Sequence, residues 1–210
     1  YWPEVTSATV GLRFCSLVAF TDALDGPIIG KTSDHPLTSV RFLALQRVAN
    51  PVGLDYIRGT FLGTLGTRAG LNAAGLAIVG ATLVPRTLNR QGVPVMVLMQ
   101  RILEECRTVE EAIALAERMP PVNYGAHLML GDAGGQAAVV ERLPMHMAVR
   151  RPAGGLLYNT NHPLAPGTRE HNGADAVLNE NSQARYARLT ALLGETPRTV
   201  AGMQSILRDH

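Results

Sequence analysis

A thiol, an ammonium group and a carboxylate stand close together early in the chain, at Cys15, Lys31 and Asp34. A thiolate is a strong nucleophile, and near neutral pH it needs a base or cations beside it in order to form. Cys15 lies in an apolar run, where a cysteine is ordinarily a small buried hydrophobe. Its company gives it a second reading, because a hairpin between the two segments would return Lys31 and Asp34 to its side. Lys31 is the only lysine among the 19 Lys+Arg of the chain. Either a compact ammonium group is wanted there, or it is a surface lysine in an arginine-rich composition. Asp34, just before His35 and Pro36, also reads as an ordinary turn residue. Cys106 has no such company and reads as core on a leucine-rich helix.

Gly26-Pro-Ile-Ile-Gly30-Lys31-Thr32 looks like a phosphate-binding loop until its residues are counted. Such a loop places four residues between its first glycine and the Gly-Lys pair and then opens a helix. Here the spacing is one residue short and Pro36 follows almost at once, so nucleotide binding is not expected. No Cys/His cluster has zinc spacing, and no cofactor is implied.

The elements that must position these residues follow from the apolar pattern. Val10–Phe20 and Ile28–Gly30 read as strands around a turn, with Pro36 closing the second. Residues 39–48 form a strand or a helix of undecided type. Residues 56–84 hold two strands with glycines between and within them. Val95, Leu98, Met99, Ile102 and Leu103 recur at helical spacing. Thr108 with Glu111 opens a second helix as a capping box, and Pro120 stops it. Ala126–Leu130 and Gln136–Arg142 flank a Gly-Asp-Ala-Gly-Gly turn as a hairpin. Strands at 145–150 and 156–158 follow, then helices at 182–193 and 200–207. Strands and helices arriving in blocks predict an α+β layered domain of antiparallel sheets rather than βαβ units.

Composition narrows the function classes. The chain has 210 residues, 46% of them apolar and 17% charged, enough for one domain with a substantial core. A net charge of +2, spread along the chain, and 5% aromatic residues provide neither the positive stripe nor the stacking platform of a nucleic-acid binder. The longest apolar stretch, 71–85, is broken by Asn72 and glycines and falls short of the roughly 20 residues that span a bilayer. No membrane partner is expected. Two cysteines allow at most one disulfide, which suits a reducing, cytoplasmic setting.

Several short motifs stand in one order: Cys15-Ser16, Gly30-Lys-Thr-Ser-Asp34, Gly70-Leu-Asn72-Ala-Ala-Gly-Leu76, Asp132-Ala-Gly-Gly135 with Val140-Glu141, Asn159-Thr-Asn161-His-Pro163, and Ser182-Gln-Ala-Arg185-Tyr-Ala-Arg188-Leu189. In that order the chain resembles the acyl-CoA:6-aminopenicillanic acid acyltransferase-like group of N-terminal-nucleophile (Ntn) hydrolases, which is similar to the choloylglycine hydrolases and penicillin V acylases. The resemblance runs from Cys15 to nearly the end. It implies a four-layer αββα sandwich of antiparallel sheets, truncated relative to longer relatives, with residues 1–14 a propeptide-like segment and 15–210 the domain. A missing strand would leave an edge open to pairing with a second copy.

The resemblance also implies roles. Cys15 becomes the first residue once its thiol attacks the Phe14 carbonyl and the Phe14–Cys15 bond is hydrolysed. Its α-amine, with an ordinary pKa of about 8, is then matched to the thiol as a base. Asp34 accepts a hydrogen bond from that amine, Arg185 supports the thiolate, Asn161 donates its amide to the oxyanion, and Lys31 and Asn72 line the substrate pocket. The expected activity is amide hydrolysis or acyl transfer through a thioester on Cys15, on a small acyl amide or acyl thioester. The rival reading is an uncleaved, silent relative that binds an acylated ligand or partner. Plain structural readings stand beside these: Asn72 as a turn residue, Asn161 as a strand cap, Arg185 and Arg188 as the solvated face of a helix.

Overall fold

The computed structural model describes residues 14–23, 26–35 and 37–209. The expected strand residues 10–13, the propeptide-like residues 1–13 and Pro36 lie outside them. Two antiparallel sheets form the centre. The smaller is ordered β10-β1-β2, from Leu156–Asn159, Cys15–Phe20 and Ile28–Ser33. The larger is a seven-stranded meander of β3 (Leu43–Val48), β4 (Tyr56–Phe61), β5 (Ala69–Asn72), β6 (Ala77–Leu83), β7 (Gly125–Gly131), β8 (Ala137–Arg142) and β9 (Met147–Arg150). Short helices α1 (Leu37–Val40) and α4 (Pro166–Arg169) occupy connections. Helices α2 (Val95–Glu105) and α3 (Val109–Arg118) cover the outer face of the larger sheet, and α5 (Ala176–Glu195) and α6 (Val200–Leu207) that of the smaller.

Three hydrophobic clusters fill the three spaces of this αββα stack. Leu98, Met99, Ile102 and Leu103 of α2 meet Ile78, Leu128 and Val140 of the larger sheet. Cys15, Leu17 and Ala19 of β1 meet Val79, Met129 and Val139 between the sheets. Val18 and Phe20, the alternate residues of β1, pack on Leu189, Leu193, Met203 and Ile206. A strand covered on both faces carries apolar residues on both, which is why β1 and β7 read as near-continuous apolar runs rather than alternating ones. Burying each leucine of this kind stabilises the fold by roughly 2 kcal/mol.

Local chemistry sets the boundaries. Thr108 caps α3, accepting from the Glu111 N–H at 3.2 Å, while the Glu111 carboxylate reaches back to the Arg107 N–H at 2.6 Å. Gly30, the glycine that imitates a phosphate loop, has a packing reason instead. A Cβ there would lie 2.6 Å from Leu207 and 2.8 Å from Met203, so only glycine lets α6 close on β2. Gly75, with φ +84°, turns the chain between β5 and β6. The region 56–84 holds three strands rather than the expected two, and 39–48 resolves into the end of α1 followed by β3. At the open edge β3 leaves Leu43 and Leu45 exposed. Among the described residues no helix is long and apolar enough to cross a membrane.

Candidate active site

Strand register gathers the site at one end of the smaller sheet. β1 and β2 pair Cys15 with Ser33, and one step further the Asp34 N–H donates to the Phe14 carbonyl at 2.8 Å. On the other flank β1 and β10 pair Leu17 with Asn159. Two residues on in the same antiparallel sense bring Asn161 opposite Cys15. There the Cys15 N–H donates to Asn161 Oδ1 at 2.8 Å. Residues 146 apart in sequence thus meet through one strand pairing.

Cross-strand partners share a face, so Cys15, Lys31 and Ser33 point between the sheets, while Phe14, Ser16 and Asp34 point toward α5. Cys15 Sγ lies 3.5 Å from Ser33 Oγ. The Lys31 ammonium reaches across to β6 and donates to the Gly80 carbonyl. Burial pushes the Lys31 pKa below its usual 10.5; Cys15 opposes that shift and Arg68 adds to it.

Arg185 closes the site from α5. Its guanidinium donates to the Cys15 carbonyl at 2.6 Å, Ser16 Oγ at 3.1 Å and Asn161 Oδ1 at 2.9 Å, with Nε held by Asn181 at 2.8 Å. It also lies 5.3 Å from the Phe14 ring centroid, in cation–π range. Burial lowers its pKa, and Asp34 and Cys15 pull the other way, which places Asp34 as an electrostatic neighbour of Arg185. Two donors on Asn161 Oδ1 and the Thr82 carbonyl on Nδ2 at 3.0 Å fix the orientation of the Asn161 amide. One Nδ2 hydrogen goes to Thr82, and the group carries a second.

A buried polar network stands behind Asn161. Ser182 Oγ, one turn before Arg185 on α5, accepts the Asn161 backbone N–H at 2.7 Å and meets His162 Nδ1 and Thr160 Oγ1, each at 2.8 Å. His127 Nε2 donates to the His162 carbonyl at 3.0 Å, and its Nδ1 accepts from Asn159 Nδ2 at 3.0 Å, which defines the neutral tautomer. Burial drops the His127 pKa to about 4. Glu141 receives Leu164 N–H at 3.0 Å, Ala165 N–H at 3.1 Å, the Thr168 hydroxyl and Arg150 Nε at 2.9 Å. Burial would raise the Glu141 carboxyl; His127 and these hydrogen bonds outweigh it and hold it low. His127 and Glu141 therefore pin residues 162–168 to the larger sheet and fix the loop that carries Asn161.

The structure brings Lys31, Asn161 and Arg185 to Cys15; Asp34 adjoins through its backbone, with its carboxylate acting on Arg185, and the Cys15 nitrogen expected to donate to Asp34 donates to Asn161 Oδ1 instead. The structure does not bring Asn72 to them. Asn72 faces α2, where Nδ2 donates to the Leu103 and Cys106 carbonyls at 3.0 and 2.7 Å and Oδ1 accepts the Ala74 and Leu76 N–H groups at 3.1 and 3.0 Å. Every hydrogen-bonding position of that amide holds the β5–β6 turn to the end of α2, so the expected pocket residue serves the turn instead. Sequence reasoning missed Thr82 and His127 and gave no role to Ser182, although it opens the motif that carries Arg185. A lone histidine in the apolar run Gly125–Gly131 was the available signal, since a buried imidazole there must find partners. Among the described residues no group of three His, Cys, Asp or Glu is placed to hold a metal ion.

The family description "Acyl-coenzyme A:6-aminopenicillanic acid acyl-transferase" matches residues 22–210. The chain belongs to this family. Its family description is that of an enzyme, an acyl-transferase. A search of curated proteins gives no match. Among solved structures, an N-acylethanolamine-hydrolyzing acid amidase ortholog from Caenorhabditis elegans superposes with TM-score 0.66 at 12% identity, over 92% of this chain and 86% of that one. Penicillin V acylase from Agrobacterium tumefaciens gives 0.51 at 17%, over 94% and 63%. A mutant conjugated bile acid hydrolase from Clostridium perfringens gives 0.55 at 15%, over 86% and 58%. At these identities the likeness is one of fold, and it is the fold that the layers and register describe.

Proposed function

We propose that this chain is an amide hydrolase or acyltransferase whose nucleophile is the Cys15 thiol, exposed as a terminal residue when the Phe14–Cys15 bond is cleaved. The observation that carries the reading is the shared grip on one residue: Asn161 Oδ1 accepts from the Cys15 nitrogen while Arg185 holds both Asn161 Oδ1 and the Cys15 carbonyl. Such a clamp fixes the nitrogen beside its own thiol, which is the placement that an α-amine base requires.

In the cleaved chain the free amine of Cys15 takes the thiol proton and Sγ attacks the substrate acyl carbon. Negative charge develops on the acyl oxygen, and the second hydrogen of Asn161 Nδ2 stabilises it. The amine returns its proton to the leaving nitrogen, leaving an acyl thioester on Sγ. Attack by water completes hydrolysis, and attack by an amine completes acyl transfer. Acyl amides of the kinds named for the acid amidase and the penicillin V acylase are the substrates to try first.

Cleavage itself is tested by intact-mass measurement of freshly prepared wild-type protein and Cys15→Ala. Loss of residues 1–14 from the wild type alone supports the reading. A wild-type chain that stays whole and hydrolyses no acyl amide or thioester overturns it. The second reading, an uncleaved silent relative, is favoured by the contacts that satisfy the intact junction: the Phe14 carbonyl on the Asp34 N–H and the Phe14 ring under Arg185.

A further inference from the structure

Cleavage of Phe14–Cys15 poses a chemical problem that turnover does not. Until that bond breaks, the Cys15 nitrogen is an amide without basicity, and another group must take the thiol proton. Resting on the proposed function above, we propose that Lys31, in its neutral form, is the base that deprotonates Cys15 in the uncleaved chain.

The register sets Lys31 opposite Leu17, on the face that carries Cys15 and Ser33, one diagonal step from the cysteine. Its Nζ is anchored across the inter-sheet space on the Gly80 carbonyl, and Gly80 belongs to the same β6 that supplies Val79 and Ala81 to the cluster around Cys15. The charged or titratable groups that act on it are Cys15 from β1 and Arg68 from the segment leading into β5. Asp34, on its own strand, points to the other face and acts on Arg185, and α6 faces Gly30 on that same far side. A lysine buried beside an arginine loses its proton far more readily than one in water, and Cys15 is the group next to it to supply another. Arginine, which every other basic position of this chain carries, could not do this.

The proton passes from Sγ to Nζ, and the thiolate attacks the Phe14 carbonyl carbon, whose oxygen already accepts the Asp34 N–H at 2.8 Å. The intermediate collapses as Nζ gives that proton to the Cys15 nitrogen. The C–N bond breaks, leaving a Phe14 thioester on Sγ and a free α-amine. Water hydrolyses the thioester to the Phe14 carboxylate and the Cys15 thiol.

Intact mass is followed over time for wild type, Lys31→Arg and Lys31→Ala between about pH 6 and 9. The wild type releases residues 1–14 faster as pH rises. Lys31→Arg keeps the charge without the base and slows release by about 100-fold or more. Methylamine restores release in Lys31→Ala in proportion to its free-base concentration. Release by Lys31→Arg at the wild-type rate, or by folded Lys31→Ala without help from methylamine, overturns the proposal. So does a wild-type rate indifferent to pH, which needs neither variant. A wild type that never cleaves overturns the nucleophile reading itself, a result separate from any defect confined to Lys31 variants.

Discussion

Cys15 and Cys106 are buried to nearly the same degree, 6% and 4% exposed, in the two interlayer cores of the larger sheet. Their surroundings differ in sign. Around Cys106, burial together with Glu111 and Glu105 pushes the thiol up to about 11, so it stays protonated and inert. Around Cys15 the neighbours are the basic side chains of Lys31 and Arg185, whose pKa values respond to it. Asn72 and Asn161 repeat the contrast. Asn72 makes all its hydrogen bonds with main chain, of its own turn and of the end of α2, whereas Asn161 joins two strands to the Arg185 guanidinium around the thiol. Burial alone therefore does not separate a core residue from a candidate nucleophile; the charge and kind of the partners do.

The largest expected effect separates the thiols. Cys15→Ala abolishes amide turnover, and Cys106→Ala keeps it at a stability cost of about 1 kcal/mol, read from urea midpoints. Retained turnover in Cys15→Ala would erase the distinction. The asparagines should part along the same line. Asn161→Ala lowers kcat by about 10²–10³-fold with the fold intact. Asn72→Ala strands buried backbone groups at about 1–3 kcal/mol each and lowers stability, with little change in kcat of the folded fraction.

A third test concerns the network behind Asn161. His127 is held neutral with a pKa of about 4, below its ordinary 6.5, so the unfolded chain binds the extra proton between those values. Stability is complete above about pH 6.5 and falls as pH drops toward 4, by about 3 kcal/mol from this group. Glu141, whose pKa is also lowered, adds to the loss at the acid end. His127→Asn should flatten the pH dependence of the urea midpoint over that window, and an unchanged slope would remove His127 from the network. The smallest effect is at Ser182. Ser182→Ala frees the Asn161 backbone N–H and should lower kcat roughly tenfold through misplacement of Asn161, while KM and cleavage chemistry at Cys15 persist.

Much of the fold was legible because periodicity carries it. The apolar positions of α2, the capping box of α3 and the glycine turn between β7 and β8 were all visible. β5 was not: Ala69-Gly-Leu-Asn72 has almost no strand signal, and it pairs because β4 and β6 flank it. Helix α5 begins at Ala176 behind its Asp175 cap, well before the expected Ser182, since Ala176, Val177 and Leu178 stand side by side rather than at helical spacing and the polar Asn179, Glu180 and Asn181 follow. In the site, Asn161 and Arg185 were reached through motif order, because no local spacing predicts a strand pairing that closes 146 residues. Asn72 misled for the same reason: a motif names an amide but not the face it takes.

The most direct test of Cys15 as nucleophile is to mix cleaved enzyme with a p-nitrophenyl acyl ester, quench in acid and locate the acyl group by peptide mass. The account predicts the acyl mass on the peptide that begins with Cys15, absent from Cys15→Ala. An acyl group on Cys106 or another residue, or rapid nitrophenol release with no acyl-Cys15 at any quench time, would contradict it.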